Sequence, residues 1–440
     1  MPLPSVAPTE SDEISLVEER FLSKETVQRV VVIGAGECAA RFVTTLRELN
    51  YSGSIVLLGD EGLAPYERPP LSKQTLLNPT TPEPTVVLTK KRLREINANF
   101  DLNDCALSID RSLRQVTTRN SATYTYDRLL FATGARSRPL PFDGAKHALM
   151  LRTHSEALLL RDALRPGTKV AVIGGGFIGL EVAASARSLG CNVTVIEVAD
   201  QLMGRAVPAE IAALMEQRHR NEGVGFKLGI GVQSIELTTN EPRYDVNLTD
   251  GLTIQADLVV AGIGAVPETT LAAACGLEIA NGIAANEHLR TSDPFIYAAG
   301  DCVSFPHPLY DYRRIRLETW QNAHDHGVVA AANVFGGSET ASSVPWFWSD
   351  QYDLTLQVAG LSFGPTRLLR TRGDGVVLHF SLDADGRLLS AAAVAQGSAA
   401  ARDIRLAKML IAKRAIISPE LITDPAVGLK SLLSEYADHS

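Results

Sequence analysis

No apolar run in this chain approaches the roughly 18 residues that a membrane-spanning helix needs, so a membrane-embedded role is not expected. Paired cysteines are lacking too. The five cysteines, Cys38, Cys105, Cys191, Cys275 and Cys302, form no C-x-x-C or similar pair. Neither a zinc site nor an adjacent redox disulfide is therefore indicated, no metal is expected, and a reduced, cytoplasmic setting fits best. Positive charge is in deficit: 42 Lys and Arg face 50 Asp and Glu, giving a formal net charge of −8 that argues against general nucleic-acid binding. The first residues, MPLPSVAPTESDEISLVEERF, carry acids but no basic n-region or apolar h-region, and are not read as a secretory signal. Apolar and charged contents of 45% and 21% are ordinary for a globular protein, and 440 residues leave room for two or three domains.

What the chain does contain is a continuous unit from Lys169 to Glu197, KVAVIGGGFIGLEVAASARSLGCNVTVIE. Val170 to Ile173 is an apolar run of the kind buried on both faces of a parallel sheet. Gly174, Gly176 and Gly179 follow in G-x-G-x-x-G spacing, then the helical stripe Leu180, Val182, Ala183 and Ala186, then a second strand, Val193 to Ile196. Glu197 stands 23 positions beyond the first glycine. In such a unit the first glycine permits a tight turn, the second lets a pyrophosphate approach the backbone, and the third lets helix and strand pack closely. The helix N-terminus offers free N–H groups and positive dipole charge to phosphates. A carboxylate at Glu197 accepts hydrogen bonds from a ribose diol and repels a 2′-phosphate, so NADH is the expected nucleotide.

The signature recurs from Arg29: RVVVIGAGECAARFVTTLRELNYSGSIVLLGDE. Gly34 and Gly36 are its first two glycines, and the small Ala39 holds the third position. Of the acids after the second strand, Asp60 and Glu61, Asp60 is favoured for an adenosine ribose. In PYERPPLSK, Pro69 and Pro70 force an extended entry into a helical segment at 71–77 and deliver Lys73 to a fixed place. Residues 85–128 read as β-rich, as does the stretch from the second unit to about residue 255. Three further apolar strands end in glycine or acid: LLFATGAR, LVVAGIGAVP and IYAAGD, the last ending at Asp301. Such strand ends bind ligands in parallel-sheet folds, and the Asp301 strand is expected to return to the first unit, its carboxylate meeting ribityl hydroxyls. A helix over 317–335 holds His324 and His326, which point to different sides and are read as surface residues. From Val344 come strands at 353–359, 366–371, 376–381 and 387–395, then a basic helix at 399–414 whose charges read as a solvated face.

Two dinucleotide units, the second inserted in the first, imply two dinucleotides face to face; if NADH gives up hydride, FAD is the natural acceptor. The expected fold is α/β, with two Rossmann-like dinucleotide-binding domains, for FAD and NAD, and a C-terminal α+β domain. The boundaries are an extension at 1–27, read as disordered with 14–22 its one helical candidate; an FAD-binding domain at 28–137 and 267–342; an NAD-binding domain at 138–266; and a C-terminal interface domain at 343–440.

GAGECAA, GDE…PYERPPLSK, ATGAR, GGGFIGLE, AGIGAVP, TSDPFIYAAGDC and WFWSDQY, in this order, resemble the FAD-dependent ferredoxin reductases of oxygenase systems. The resemblance runs from residue 29 to the C-terminus and departs only in the N-terminal extension and at Ala39. It implies that Asp60, Lys73, Arg152 and Asp301 contact FAD, with the backbone at Trp320 near the flavin. It implies further that Glu181 meets the nicotinamide side paired with Lys73, that Glu197 and Arg205 hold the adenosine ribose of NADH, and that Trp348 lies between flavin and ferredoxin. Lys73, Glu181 and Trp348 would then be the catalytic set. Spacing leaves Trp346 and Trp348 open, since they share a face in a strand and take opposite sides in a helix. The implied activity is electron transfer from NADH through FAD to a [2Fe–2S] ferredoxin feeding a Rieske dioxygenase or a cytochrome P450. Arg313 and Arg314 are the expected positive patch for that acidic partner. Disulfide reductases and single-cysteine NADH peroxidases need cysteine just after the first unit, where this chain has Lys73. An apoptosis-inducing-factor-like flavoprotein or an NADH-binding signalling protein is the alternative.

Overall fold

The computed structural model describes residues 27–80, 82–204, 206–239 and 242–435. The helical candidate at 14–22 and Arg205 lie outside the described residues. Strand β1 (Arg29–Ile33) is almost wholly Val and Ile, and its last four residues are buried. Such a strand suits a sheet covered on both sides, and it pairs in parallel with β2 (Ser54–Leu58) and, farther on, with β4 (Arg128–Phe131), while β3 (Asn99–Asp101) adds to the edge. Helix α1 (Glu37–Glu48) makes the crossover and buries Cys38, Ala39, Ala40, Phe42, Val43 and Leu46. The expected β-rich stretch at 85–128 holds three antiparallel strands, but Lys90–Ile96 is helical, capped by Thr89 accepting from the Arg92 N–H.

The second unit repeats the plan. Strand β5 (Lys169–Ile173) leads through helix α2 (Phe177–Ser188) to β6 (Asn192–Glu197). With β7 (Gly225–Leu228) and β8 (Leu258–Ala261) these form a parallel sheet of order β7-β6-β5-β8. The reading of 200–255 as β-rich fails at its start, where α3 (Ala209–Asn221) is a 13-residue helix. Ile211, Met215 and His219, four apart, are its buried stripe. The chain leaves the first unit at Ala135–Ser137 and returns at Ala265–Pro267, and these two crossings pair with each other as an antiparallel ribbon. Strand β9 (Ile296–Ala298) then completes the first sheet, in the order β9-β4-β1-β2-β3.

Helix α4 (Trp320–Val334) packs on α1 at close range. A Cβ at Gly327 would lie 2.7 Å from the Cys38 carbonyl oxygen and 2.9 Å from the Arg41 Cβ, so only glycine fits this crossing. This approach overturns the surface reading of the two histidines. His324 Nδ1 lies 2.8 Å from Glu37 Oε1, and His326 is buried against Phe305. Burial pushes the His326 imidazole down to about 3 and that of neighbouring His307 to about 4. Both are therefore neutral in the fold and gain protons only on unfolding. Above about pH 6.5 neither opposes folding, and below it each is expected to remove about 1.4 kcal/mol of stability per pH unit until its folded pKa is reached. Thermal melts between pH 7 and 4.5 check this: His326→Asn, which keeps an acceptor for the Gly300 N–H, should flatten the fall, and an unchanged pH dependence would refute it.

The C-terminal sheet is antiparallel, formed by β10 (Trp346–Gln351), β11 (Leu354–Gly360), β12 (Thr366–Thr371), β13 (Val377–Leu382) and β14 (Leu388–Gln396) in the order β10-β11-β14-β13-β12. Its central strand β14, LLSAAAVAQ, is buried on both faces. Ala391, Ala393 and Ala395 pack with Ile404 and Leu410 of helix α5 (Ala401–Ala412), while Ala392 and Val394 join the core of the second nucleotide unit. One strand thus serves two cores by its two-residue alternation.

Candidate functional site

The first glycine loop is shaped for close backbone approach. Gly34 has φ +110, and a Cβ there would lie 2.1 Å from the Ala132 carbonyl oxygen, whereas at Gly36, the N-cap of α1, a Cβ would meet no atom within 4 Å. Ala39 at the third position is fully buried. Strand β9 delivers Asp301 to this loop, since a Cβ on Gly300 would touch Cys38. Arg152 Nη2 donates to Asp301 Oδ2 at 2.9 Å. The Nε atoms of Arg152 and Arg316 are buried and have no hydrogen-bond partner among the described residues. At the end of β2, Glu61 accepts from the Tyr66 hydroxyl at 2.5 Å and from Arg68 Nη2 at 2.6 Å, while Asp60 is exposed. Trp320 opens α4 and stacks on His324 at 5.2 Å. An open glycine backbone at a helix N-terminus, orphaned arginine donors and carboxylates near them fit a ligand with phosphates and hydroxyls, as a flavin dinucleotide has.

The second loop has the same build. Gly174 has φ +106, Gly176 caps α2, and a Cβ at Gly179 would fall 2.1 Å from the Gly174 carbonyl oxygen. Glu197 is fixed where β6 ends: its carboxylate accepts from the Gly175 N–H at 2.6 Å and the Ala199 N–H at 2.8 Å.

Two residues beyond Gly179, Glu181 of α2 takes part in a buried charge pair. Lys73 Nζ lies 3.1 Å from Glu181 Oε1, with side-chain exposures of 12% and 5%. The expected helix at 71–77 is instead two short turns, Pro69–Ser72 and Gln74–Leu77, separated by the non-helical backbone of Lys73 at φ −124, ψ −101. The break lets both Ser72 and Lys73 reach Glu181 on α2. The Ser72 hydroxyl donates to Glu181 Oε2 at 2.5 Å and the Ser349 hydroxyl to Oε1 at 2.6 Å. Nothing local marks either serine as functional, although each sits in a motif of the resemblance, RPPLSK or WFWSDQY. A buried carboxylate needs its lone pairs filled, and this one takes two hydroxyls and an ammonium.

Strand β10 settles how the tryptophans face. Trp346 and Trp348 share one side and stack at 5.1 Å, with Trp346 against the C-terminal core. The Trp348 ring centroid lies 6.0 Å from Lys73 Nζ, and its Nε1 donates to Asp350 Oδ2 at 3.1 Å. Of the expected positive patch, Arg314 is committed to backbone, donating to the carbonyls of Ala285 at 3.1 Å and Ser304 at 2.6 Å. Arg313 is exposed over the Phe363 ring.

Residues 28–327 match the pyridine nucleotide-disulphide oxidoreductase family, and residues 346–433 match the reductase C-terminal family. Over 408 residues the chain is 40% identical to the ferredoxin–NAD(+) reductase component of the anthranilate 1,2-dioxygenase system of Burkholderia cepacia, covering 92% of this chain and 98% of that one. Putidaredoxin reductase of Pseudomonas putida is 36% identical over 414 residues, 92% of this chain and 96% of its own. The crystal structure of the covalent putidaredoxin reductase–putidaredoxin complex superposes with a TM-score of 0.87 at 35% identity, covering 93% and 99% of the two chains. Two glycine loops, a buried lysine–glutamate pair and full-length likeness at this level lead to one assignment: the chain belongs to the pyridine nucleotide-disulphide oxidoreductase family, in its ferredoxin reductase branch.

Proposed function

We propose that this chain carries electrons from NADH through FAD to a [2Fe–2S] ferredoxin that serves an oxygenase, either a Rieske dioxygenase or a cytochrome P450. The observation that carries this reading is the buried Lys73–Glu181 pair beside Trp348, in a position where a disulfide reductase would need thiols. Residues 28–137 and 267–342 form the FAD-binding domain, 138–266 the NAD-binding domain and 343–440 the interface domain, with the ribbon of the two crossings as the joint between the first two. Scattered, unpaired cysteines suit a cytoplasmic setting.

Bound FAD would supply a two-electron hydride acceptor able to release electrons one at a time. The N-terminus of α1 and Gly36 would cradle its pyrophosphate, Arg152 would supply a donor, and Asp60 and Asp301 would accept from its hydroxyls. Gly174, Gly176 and Gly179 do the same for NADH, whose adenosine ribose Glu197 binds. Lys73 places positive charge where negative charge arrives, and Glu181 keeps that ammonium in place without leaving either charge buried alone. Trp348 covers the exit toward the ferredoxin.

NADH-driven reduction of cytochrome c by the purified yellow protein, dependent on added [2Fe–2S] ferredoxin, tests the reading; a colourless protein, or a rate indifferent to ferredoxin, would overturn it. Trials with ferredoxins of both oxygenase types separate the two systems. Nucleotide choice gives a second check. Glu197→Arg is expected to remove the ribose acceptor and the brace on Gly175 together, weakening NADH use by roughly tenfold or more and erasing the preference over NADPH. Equal use of both nucleotides by the unaltered protein would count against Glu197.

A further inference from the structure

The Glu181 carboxylate is the end of a longer chain of hydrogen bonds. Ser349 Oγ, which donates to Glu181, accepts from Gln351 Nε2 at 3.0 Å. Gln351 Oε1 lies 2.7 Å from His219 Nε2, and the Tyr352 hydroxyl lies 3.4 Å from His219 Nδ1. Ser349 and His219 are 0% exposed, and Gln351 is 1% exposed. Ser349 and Gln351 are two apart on β10 and so share a face, which is why the chain runs along the strand. His219 comes from α3, against the rings of Tyr352 at 5.0 Å and Phe226 at 6.1 Å.

The direction of the bonds follows from chemistry. A carboxylate only accepts, so Ser349 must donate to it; Ser349 then accepts from the Gln351 amide, which leaves the Gln351 carbonyl to accept from His219 Nε2–H. That fixes one imidazole tautomer, with Nδ1 free to accept from Tyr352. Burial lowers the His219 pKa, which favours this neutral form. Every donor points toward Glu181, and reversing one would strand a buried polar group. Three parts of the molecule therefore meet on one carboxylate: Ser72 from the first unit, His219 through α3 of the second, and Ser349 with Gln351 from the C-terminal sheet.

We infer that the chain His219–Gln351–Ser349 positions Glu181 for its work with Lys73, which makes His219, a residue of neither nucleotide loop, a positioning residue for NADH-dependent flavin reduction. This rests on the function proposed above. Such residues act through one another, so their effects on rate should not multiply.

The test uses FAD-loaded full-length protein, following anaerobic bleaching of the flavin by saturating NADH. Ser349→Ala is expected to slow bleaching about tenfold, because Gln351 and Glu181 each lose a partner. His219→Leu should slow it severalfold, and His219→Gln, which keeps a donor toward Gln351, should restore it. The His219→Leu/Ser349→Ala double variant should be no slower than Ser349→Ala alone, and chemically reduced variants should pass electrons to ferredoxin at the unaltered rate. Multiplying effects, equal slowing by Leu and Gln at position 219, or unchanged bleaching in Ser349→Ala would each overturn the inference. Should His219→Leu fail to fold, Ser349→Ala and His219→Gln still decide it. Absence of bleaching in the unaltered protein would overturn the proposed function itself, and the positioning role with it.

Discussion

Lys73→Met is expected to slow flavin reduction by NADH about a hundredfold while leaving FAD bound. Removing one preorganised electrostatic group from a water-poor site typically costs that much in rate. Methionine preserves the length and apolar stem of the side chain, so packing between the turns at 69–72 and 74–77 should survive. Glu181 would keep two of its three partners, the hydroxyls of Ser72 and Ser349. The complementary change, Glu181→Leu, is predicted to be worse for the fold than for cofactor content. It strands the Lys73 ammonium, which is only 12% exposed, and breaking a buried pair from one side costs on the order of 3 kcal/mol. Stopped-flow bleaching and thermal melts distinguish the two. A Lys73→Met rate within threefold of the unaltered protein would remove the lysine from the mechanism.

The second large effect is expected at Trp348 and should appear in only one of two assays. Trp348→Ala should retain FAD and NADH-driven ferricyanide reduction, since a small acceptor reaches the flavin by other routes. Ferredoxin-dependent reduction of cytochrome c should fall by roughly ten- to a hundredfold, the usual loss when a central aromatic is removed from a protein contact. The neighbour Trp346 is the internal control. Its ring packs on the C-terminal core, so Trp346→Ala should lower stability and affect both acceptors alike. An equal fall in both activities for Trp348→Ala, or loss of FAD, would make it a packing residue like Trp346.

The features legible in the sequence were those with local causes. A turn that needs positive φ at Gly34 and Gly174 must be written as glycine, and strands β1 and β5, buried along their last four residues, are written in unbroken apolar runs, so both nucleotide units could be read directly. The same holds for the strand that leads to Asp301, which joins the first sheet as expected. What escaped was set by contacts distant in the chain. His324 and His326 look like surface residues until α4 settles onto α1, an approach whose one written sign is Gly327. Ser72 and Ser349 are ordinary serines until Glu181 arrives from α2. Helix α3 was hidden differently: its buried stripe includes His219, a polar residue that breaks an apolar pattern because its partner is the equally buried Gln351.

Strand β14 carries a consequence for how the molecule comes apart. Ala391, Ala393 and Ala395 belong to one core, and Ala392 and Val394 to another. A fragment beginning at residue 343 would therefore present Ala392, Val394, Leu356 and Val358 as a bare apolar face, and it should associate or precipitate instead of living alone. By the same account the second nucleotide unit and the C-terminal sheet cannot melt separately. They form one cooperative block, and heating should register them as a single transition however many domains the sequence is divided into.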